Sequence, residues 1–224
     1  MEPMDSRRID TLIIGQGFAG TLLARALMRR GQEVVVVDNG HRHSSSRAAA
    51  GLINPLAGRQ LALHPRIGAL LATAGEAYAA LEAELGQRLL FSRPMIRLAP
   101  SEKDAERWQR RIGENPGYIP YVEKQFAPGQ SSLPLTDPFG GLVQRHTGYV
   151  SPDVLLEGMR ARLADAGRLL EAQFAASDLA VDAKGVRWNG LSADRVIFCE
   201  GRCATDNPWF DWLPLRPVKG EILT

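Results

Sequence analysis

The sequence contains few cysteines and no long apolar segment. Cys199 and Cys203 are its only two cysteines, too few for the several bridges of a disulfide-dependent secreted fold. No run of 18 apolar residues occurs, so no membrane-spanning helix is expected. The N-terminus begins Met-Glu-Pro-Met-Asp and passes almost directly into the first expected strand, so no signal peptide is expected. These absences predict a cytoplasmic protein without a membrane partner.

The sequence also has little net charge. It carries 27 basic and 25 acidic residues, for a net charge of +2, and the basic residues are spread along the chain. The densest basic stretch, Arg107, Arg110 and Arg111, fits a solvated helix face. A nucleic-acid surface needs concentrated positive charge, so the charge pattern argues against a nucleic-acid partner.

Histidine and cysteine do not form a recognisable metal or redox motif. His41 and His43 flank Arg42, but no further ligands stand at suitable spacing. We therefore expect exposed loop histidines and no metal site. Three residues separate Cys199 from Cys203, which is not a thioredoxin-like spacing, so Cys199 is expected to be a buried small residue at the end of a strand.

The most informative segment is the first forty residues. A short apolar run at 10–14 is followed at once by the glycine-rich turn 15–20, and helical spacing extends over 18–30. An unbroken β-branched run at 34–37 then ends at Asp38. This order of strand, glycine turn, helix, strand and acid is the fingerprint of a dinucleotide-binding βαβ unit.

Each part of this fingerprint has a physical role. Gly15 permits a tight turn, Gly17 lets the backbone approach a pyrophosphate, and Gly20 lets helix and strand lie close together. The helix N-terminus favours the negative charge of the phosphates. Asp38 is suited to accept both hydroxyls of an adenosine ribose. A purely structural glycine turn is the alternative, but the complete order of parts favours a dinucleotide.

The pattern changes after this unit. A fold that binds NAD repeats its βαβ unit, whereas here a small-residue loop is followed by a different layer of structure. The expected elements of that layer are a loop at 44–55, a helix at 67–85, a strand at 91–98 interrupted by Pro94, a helix at 101–111 capped by Ser101, and loops with edge strands at 115–141.

The nucleotide-domain pattern then returns. A helix is expected to begin at Pro152 and to end before Gly167, with strands near 169–174, 179–188 and 195–199. A sheet that opens with βαβ, leaves for a second domain and then resumes is typical of flavin-binding proteins with two domains. The insertion therefore favours FAD over NAD.

Four segments carry a family resemblance: GQGFAG at 15–20 with Asp38, SSSRAAAGLINP at 44–55, VIFCEG at 196–201, and PVKGE at 217–221. On these segments the chain resembles the FAD-dependent oxidoreductases of the D-amino-acid oxidase and glycine oxidase superfamily. The resemblance implies an α/β fold, with a Rossmann-like FAD-binding domain of the glutathione-reductase type and an inserted α+β substrate domain. It also implies a chain that is truncated at its C-terminus.

The implied domains alternate along the chain. Residues 1–60 and 148–207 form two segments of the FAD-binding domain, residues 61–147 form the substrate domain, and residues 208–224 begin a return into the substrate domain.

The resemblance implies cofactor contacts at fifteen positions. Those expected at the pyrophosphate are Gly15, Gly17, Phe18, Ala19 and Gly20. Asp38 and Asn39 are expected at the ribose and adenine, Ser45, Ser46 and Arg47 at phosphate or ribityl groups, Ala49, Gly51 and Leu52 beside the isoalloxazine, Phe174 at the adenine, and Gly201 where a late strand meets the cofactor. A flexible surface loop is the alternative interpretation of residues 44–51.

The activity that the resemblance implies is oxidation of a carbon–nitrogen bond of an amino acid or small amine. Hydride passes to flavin N5, and electrons continue to oxygen or another acceptor. No catalytic side chain is identified. A flavoprotein domain that acts on a modified tRNA base and a catalytically incomplete FAD-binding fragment are the alternatives.

Five further residues are candidates for substrate contact. Arg59, Arg66 and Lys219 have side chains that can bind a carboxylate, and His146 and Tyr149 precede the late helix. No spacing singles out any of them, so ordinary surface or junction roles are the expectation.

Overall fold

The computed structural model describes residues 7–41 and 44–218. The chain divides into two compact units: unit 1 comprises Met1–Ala49 and Pro152–Thr224, and unit 2 is Ala50–Ser151. The expected inserted domain, 61–147, lies inside unit 2, which is longer at both ends. Residues 208–218, expected to begin a return into the substrate domain, group with unit 1.

The described residues form four α-helices and fourteen strands. The helices are α1 (Phe18–Met28), α2 (Ile67–Leu85), α3 (Glu102–Glu114) and α4 (Pro152–Asp165). The strands are β1 (Arg7–Ile14), β2 (Val34–Asp38), β3 (Leu52–Ile53), β4 (Leu56–Ala57), β5 (Ala62–Leu63), β6 (Leu90–Ser92), β7 (Met95–Leu98), β8 (Val122–Phe126), β9 (Gly141–Gln144), β10 (Gly148–Val150), β11 (Leu169–Glu171), β12 (Ala180–Asp182), β13 (Gly185–Trp188) and β14 (Leu191–Phe198). The expected helices at 67–85 and 152–166 are confirmed, and Pro94 separates β6 from β7.

Unit 1 is built on one sheet with the strand order β11-β2-β1-β14-β13-β12. The first four strands are parallel, and β12 and β13 run antiparallel as a hairpin beside β14. Thr11 of β1 pairs with Val34 on one side and Arg195 on the other. The early βαβ unit and the late strands therefore form one sheet, as the α/β expectation requires.

Both faces of the parallel strands are covered. Ile13, Val34 and Val36 face a cluster that includes Ala24 of α1 and Leu163 of α4. The alternate residues of these strands, Leu12, Ile14, Val35 and Val37, belong to a second cluster with Trp188. Burial on both faces explains why β2 is an unbroken β-branched run rather than an alternating one.

The inward face of α1 differs from the simplest hydrophobic expectation. Helical spacing predicts that Phe18, Leu22, Leu23 and Ala26 point inward and that Arg25 points outward. Leu23 does pack against the core of unit 1, but the buried residues of the helix are Gly20, Thr21, Ala24 and Arg25. The first turn of a helix that follows a tight glycine turn lies close to its strand, and at Gly20 a side chain would overlap the backbone of Gly15. The larger residues are half-buried at its sides.

Unit 2 is an α+β structure. Its strands form the antiparallel sheets β7-β9-β8, β3-β10-β6 and β4-β5. Its core consists of Leu56, Leu61, Ala99, Trp108, Tyr118 and Leu142. The inserted segment is thus organised by antiparallel pairing, in contrast to the parallel sheet of unit 1.

Helix α3 begins as its sequence predicts. The hydroxyl oxygen of Ser101 accepts a hydrogen bond from the backbone N–H of Asp104, 3.2 Å away. The Asp104 carboxylate in turn accepts from Nη2 of Arg59 at 2.6 Å and Nη1 of Arg107 at 3.0 Å. Arg59 is therefore tied into the fold of unit 2.

In the part of the chain that the structure describes, none of the helices combines the length and apolar character that crossing a membrane requires.

Candidate cofactor site

A pocket in unit 1 lies where three parallel strands end. Ile14 of β1 and Val37 of β2 line it together with Cys199, which directly follows β14. The carboxyl ends of parallel strands meet at one edge of a sheet, and ligands of open α/β folds bind at that edge. The pocket is therefore the candidate ligand site of unit 1.

The glycine turn forms one wall of this pocket, and its first and last glycines leave no room for a side chain. Gly15 has φ +98°, and a Cβ atom there would lie 2.5 Å from the carbonyl oxygen of Cys199. A Cβ on Gly20 would overlap the carbonyl oxygen of Gly15. The two glycines allow β1, α1 and the end of β14 to come together.

The N-terminus of α1 is bonded to a hydroxyl group. The backbone N–H of Phe18 donates to Oγ of Ser46 at 3.1 Å, and a Cβ on Gly17 would lie only 2.9 Å from the same oxygen. A phosphate oxygen accepts the same kind of hydrogen bond at a helix N-terminus. Gly17 and Ser46 thus mark a place suited to an oxyanion.

Asp38 is surrounded by donors from the protein itself. Its Oδ1 accepts from the backbone N–H groups of Gly40 and His41 and from Nη1 of Arg160, each at 2.9 Å. Its Oδ2 accepts from the N–H of Gln16 at 3.0 Å. An ionised carboxylate offers about four lone-pair sites. The side chain therefore has less capacity for ribose hydroxyls than a free carboxylate, and most of what remains is on Oδ2.

These contacts keep Asp38 ionised. Burial opposes the charge, but hydrogen bonds from the backbone of Gln16 and His41 and from Arg160 outweigh it and lower the pKa of Asp38. A negative charge at the end of β2 is thereby fixed at neutral pH.

Arg160 of α4 was missed in the sequence. Its Nη1 also donates to Oε1 of Gln16 at 3.0 Å, and its Nη2 donates to Glu171 at 2.9 Å. Its side chain is only 17% exposed. No local sequence signal connects a residue of α4 with the acid that ends β2, because the parallel sheet alone brings them together.

The expectation that His41 is an exposed loop residue is wrong. His41 is 8% exposed and lines the pocket. Its backbone is held at φ +60°, and within the described residues neither ring nitrogen has a hydrogen-bond partner. Burial, assisted by Arg160 and Arg47, lowers the pKa of His41 against the opposing effect of Asp38 and Glu157. His43 lies outside the described residues.

The far wall of the pocket is aromatic and polar. Phe174 contacts Trp188 and Phe198, with ring centroids 5.9 and 5.7 Å apart. Asn39 donates from Nδ2 to Oε1 of Gln173 at 2.8 Å. An aromatic face beside amide groups suits a planar heterocycle such as adenine.

Eight of the fifteen expected cofactor residues line the pocket: Gly15, Gly17, Asp38, Asn39, Ser45, Ser46, Phe174 and Gly201. Three others, Phe18, Ala19 and Gly20, form the first turn of α1.

The remaining four expected residues have other surroundings. Arg47 pairs with Glu157 at 2.8 Å, and Ala49 ends the first segment of unit 1. Gly51 and Leu52 belong to unit 2, where a Cβ on Gly51 would overlap the carbonyl oxygen of Val150. Their expected contacts with an isoalloxazine stay predictions.

Two acidic groups of the pocket retain their protons more readily than usual. Burial, and secondarily Glu200, raises the pKa of the Cys199 thiol. Burial also raises the pKa of Glu200, against a hydrogen bond from Asn207. Cys199 is half-buried and free, and a thiol with a raised pKa is a poor nucleophile.

Two of the other candidates for substrate contact pack against aromatic rings. Tyr149 stacks on Phe91 with a centroid distance of 4.9 Å, and His146 meets the edge of Tyr121. Lys219 and the final motif at 217–221 fall wholly or partly outside the described residues. Among the described residues, no cluster of three or more histidine, cysteine, aspartate or glutamate side chains is suited to a metal ion.

Together these features fit the ADP half of a dinucleotide. The glycine turn and helix N-terminus suit a pyrophosphate, the acid that ends β2 suits a ribose, and the aromatic wall suits a base. The His41 imidazole is a buried polar group that has no partner among the described residues.

Sequence similarity to known proteins extends over most of this chain. The tRNA 5-methylaminomethyl-2-thiouridine biosynthesis bifunctional protein MnmC of Chromohalobacter salexigens is 29% identical over 232 residues, which cover 94% of this chain and 31% of that protein. The protein of the same name from Burkholderia lata is 27% identical over 98% of this chain and 35% of its own length. The chain spans about a third of the length of these relatives.

Solved structures share the fold. Glycine oxidase from Geobacillus kaustophilus superposes with a TM-score of 0.73 at 21% identity, over 93% of this chain and 60% of that one. L-Proline dehydrogenase from P. horikoshii superposes with a TM-score of 0.67 at 16% identity, over 94% of this chain and 57% of that one. At these identities the superpositions show the fold alone.

The family is shown by the sequence itself. Residues 10–224 match the family described as DAO, FAD dependent oxidoreductase, and the match begins in β1, just before the glycine turn. The cofactor of this family is FAD, in agreement with the geometry of the pocket. The chain belongs to the DAO family of FAD-dependent oxidoreductases.

Proposed function

We propose that this chain contributes the FAD-binding part of an enzyme that oxidises a carbon–nitrogen bond of an amino acid or small amine. The family match over residues 10–224 carries this proposal. When bound, FAD supplies an acceptor for the hydride of the carbon next to nitrogen. The protein's own task is to bind, orient and shield the reactants.

The backbone of the glycine turn holds the pyrophosphate in this proposal. Gly15, Gly17 and Gly20 leave room for it, and the N–H groups of Phe18 and Ala19 face it at the start of α1. Ser46 already accepts from Phe18 at 3.1 Å, so its hydroxyl either yields to a phosphate oxygen or moves aside and donates to one.

The adenosine lies beside the ends of β2 and β11 in this proposal. Asp38 accepts one ribose hydroxyl on Oδ2, and Asn39 and Phe174 contact the adenine edge and face. Arg160 keeps the Asp38 carboxylate oriented through its 2.9 Å hydrogen bond. Ser45 and Gly201 bound the phosphate and ribityl end, with Arg47, Ala49, Gly51 and Leu52 further along the cofactor.

An absorption spectrum of the purified protein tests the cofactor, and anaerobic mixing with amines tests the reaction. We expect flavin bands near their usual positions and bleaching by at least one member of a panel of glycine, proline and iminodiacetate. The panel follows the names of structural neighbours. A protein that retains FAD but is bleached by no amine indicates an FAD-binding fragment without the complete reaction site.

A second candidate is oxidation of a carbon–nitrogen bond that is attached to tRNA. The specific observation in its favour is that relatives 27–29% identical over nearly the whole chain have names that refer to tRNA 5-methylaminomethyl-2-thiouridine biosynthesis. A methylaminomethyl group contains the same kind of bond as a small secondary amine. The two candidates therefore share a reaction and differ in what carries the amine.

The salt dependence of tRNA binding distinguishes the tRNA substrate from a free amine. Binding of tRNA through its phosphates releases counterions, so affinity falls steeply as salt rises. The net charge of +2 predicts weak tRNA binding by this chain. Retention of bulk tRNA at low salt that is lost at high salt, together with flavin bleaching by tRNA that carries the modification, supports the tRNA substrate. Bleaching by free amines alone supports the first candidate.

A further inference from the structure

His41 is the buried polar group of the cofactor pocket that the binding roles above leave unused. His41 is 8% exposed and lines the pocket. Neither Nδ1 nor Nε2 of its ring has a hydrogen-bond partner among the described residues. Buried polar groups are nearly always paired. An imidazole in a pocket wall that has no partner among the described residues is therefore a candidate to bind a ligand.

An unusual backbone conformation and two hydrogen bonds to Asp38 hold the turn that contains His41. The residue has φ +60°, a conformation that is unfavourable for a side chain with a Cβ atom. Oδ1 of Asp38 accepts from the His41 backbone N–H and from that of Gly40, each at 2.9 Å. Asp38 thus shapes the turn that presents the imidazole to the pocket.

Burial favours the neutral form of His41 and is the main cause of its lowered pKa. Asp38 and Glu157 favour protonation of the ring, whereas Arg160 and Arg47 oppose it. A neutral imidazole has one N–H donor and one acceptor nitrogen. Rotation about its Cβ–Cγ bond is soft, so the N–H can turn toward an oxygen atom in the pocket.

We propose that the imidazole of His41 binds the ADP half of FAD by donating a hydrogen bond to a ribose or phosphate oxygen. The inference rests on the proposed FAD site. In this inference the two side chains have different roles. Asp38 holds the turn and keeps room on Oδ2 to accept one ribose hydroxyl, and His41 supplies the hydrogen-bond donor that a carboxylate lacks.

The test compares His41→Phe with the unchanged protein by titration calorimetry, using ADP and FAD as separate probes. Phe has a ring of similar size and meets the same backbone strain, but it has no donor. We expect both probes to bind roughly tenfold more weakly, as loss of one hydrogen bond to a charged or polar oxygen predicts. His64→Phe is the matched control, because His64 is an exposed histidine of unit 2, and it should leave both affinities unchanged.

Thermal unfolding of the ligand-free protein distinguishes this role from a structural one. Replacing an unpaired buried imidazole by an apolar ring should leave the melting temperature unchanged or raise it. A lower melting temperature for His41→Phe overturns the inference, since it means that the ring has a partner within the protein. Unchanged affinities for both probes overturn it as well, and so does a loss confined to FAD, because His41 then does not contact the ADP half.

His41→Asn is the second variant. Asparagine tolerates a positive φ better than histidine, so this protein should fold at least as well, while its shorter amide falls short of the ligand. We expect a weakening of the same order as for Phe. If the unchanged protein binds neither ADP nor FAD, the cofactor assignment fails, which differs from a variant that binds as tightly as the parent.

Discussion

The two units treat their buried charges in different ways. In unit 2, Asp104 is buried and is bonded to Ser101, Arg59 and Arg107, all of the same unit. Its contacts cap α3 and tie the helix to the β4–β5 region. In unit 1, Asp38 is equally surrounded by donors, but it lies in a pocket wall beside an imidazole without a described partner.

The difference follows from sheet architecture. The arginines of unit 2 bind carboxylate and carbonyl oxygens of the same unit, as Arg59 binds Asp104 and Arg97 binds the carbonyl of Leu56. Parallel strands all end at the same edge, and there the turn after β1, the acid of β2 and the segment after β14 surround a space. The polar groups at this edge of unit 1 therefore line a pocket, whereas Asp104 and its arginines connect elements of unit 2.

Two glycines in helices give the largest expected contrast. Gly20→Ala in α1 places a Cβ on the carbonyl oxygen of Gly15, so we expect a loss of about 3 kcal/mol in the free energy of unfolding, as for overpacking against backbone, and loss of FAD binding. Gly75→Ala in α2 meets no atom within 4 Å and should raise stability by up to about 1 kcal/mol. Denaturant unfolding and FAD titration of both variants provide the measurement.

Equal effects of the two alanines would contradict this contrast. A tolerated Gly20→Ala with full FAD affinity means that α1 does not lie as close to β1 as the structure has it.

Two buried carboxylates give the next contrast. Asp38→Ala should weaken FAD binding by about 1–3 kcal/mol through loss of charge-assisted hydrogen bonds, and its effect includes the turn that holds His41. Asp104→Ala should lower the stability of unit 2 and leave the affinity for FAD unchanged, because its partners lie around α3. Calorimetric titration with FAD distinguishes them, and an Asp38→Ala protein of unchanged affinity would show that another group binds the ribose.

Much of unit 1 was predictable because its signals are local. Strand, glycine turn, helix and acid occur within residues 10–38, and each part reports on its neighbours along the chain. The glycines report backbone geometry directly, since a side chain at Gly15 or Gly20 would overlap another part of the backbone. The same holds for the cap of α3, where Ser101 and Asp104 are three residues apart.

The residues that sequence reasoning missed depend on contacts between distant segments. Arg160 reaches Asp38 across 122 positions, and nothing in α4 distinguishes it from a solvated arginine. His41 stands in a polar loop, where exposure is the usual outcome, and only the left-handed turn organised by Asp38 buries it. The inward face of α1 was predicted only in part: Leu23 packs against the core, but Arg25 is buried rather than exposed.

Two arginines that bind buried carboxylates sharpen the comparison further. Arg160→Gln removes one of the donors of Asp38 and should weaken FAD binding by about 1 kcal/mol, the net value of an ordinary charged hydrogen bond in a partly exposed site. Arg59→Gln removes a donor of Asp104 and should have no effect on the affinity for FAD.

The double variant Asp38→Asn with Arg160→Gln should lose less FAD affinity than the sum of the losses in the two single variants, because the residues act through one contact. Additive losses would show that Arg160 contributes independently of Asp38.

The smallest expected effect is a pH dependence confined to unit 1. The pKa of His41 is lowered in the folded protein, first by burial and then by Arg160 and Arg47, so the native state binds fewer protons than the unfolded state. The contribution of His41 to stability is therefore fully present above its ordinary pKa of about 6.5 and is lost as pH falls toward the folded value. The lowered pKa of Asp38 acts in the same direction at lower pH.

Melting temperatures of the ligand-free protein between about pH 7 and pH 5 should fall more steeply than those of His41→Phe, and the exposed His64→Phe control should follow the parent. Parallel curves of melting temperature against pH for the parent and His41→Phe would mean that the ring is already protonated or solvated in the folded chain. The contrast between the polar pocket of unit 1 and the internally bonded polar groups of unit 2 would then rest on Asp38 alone.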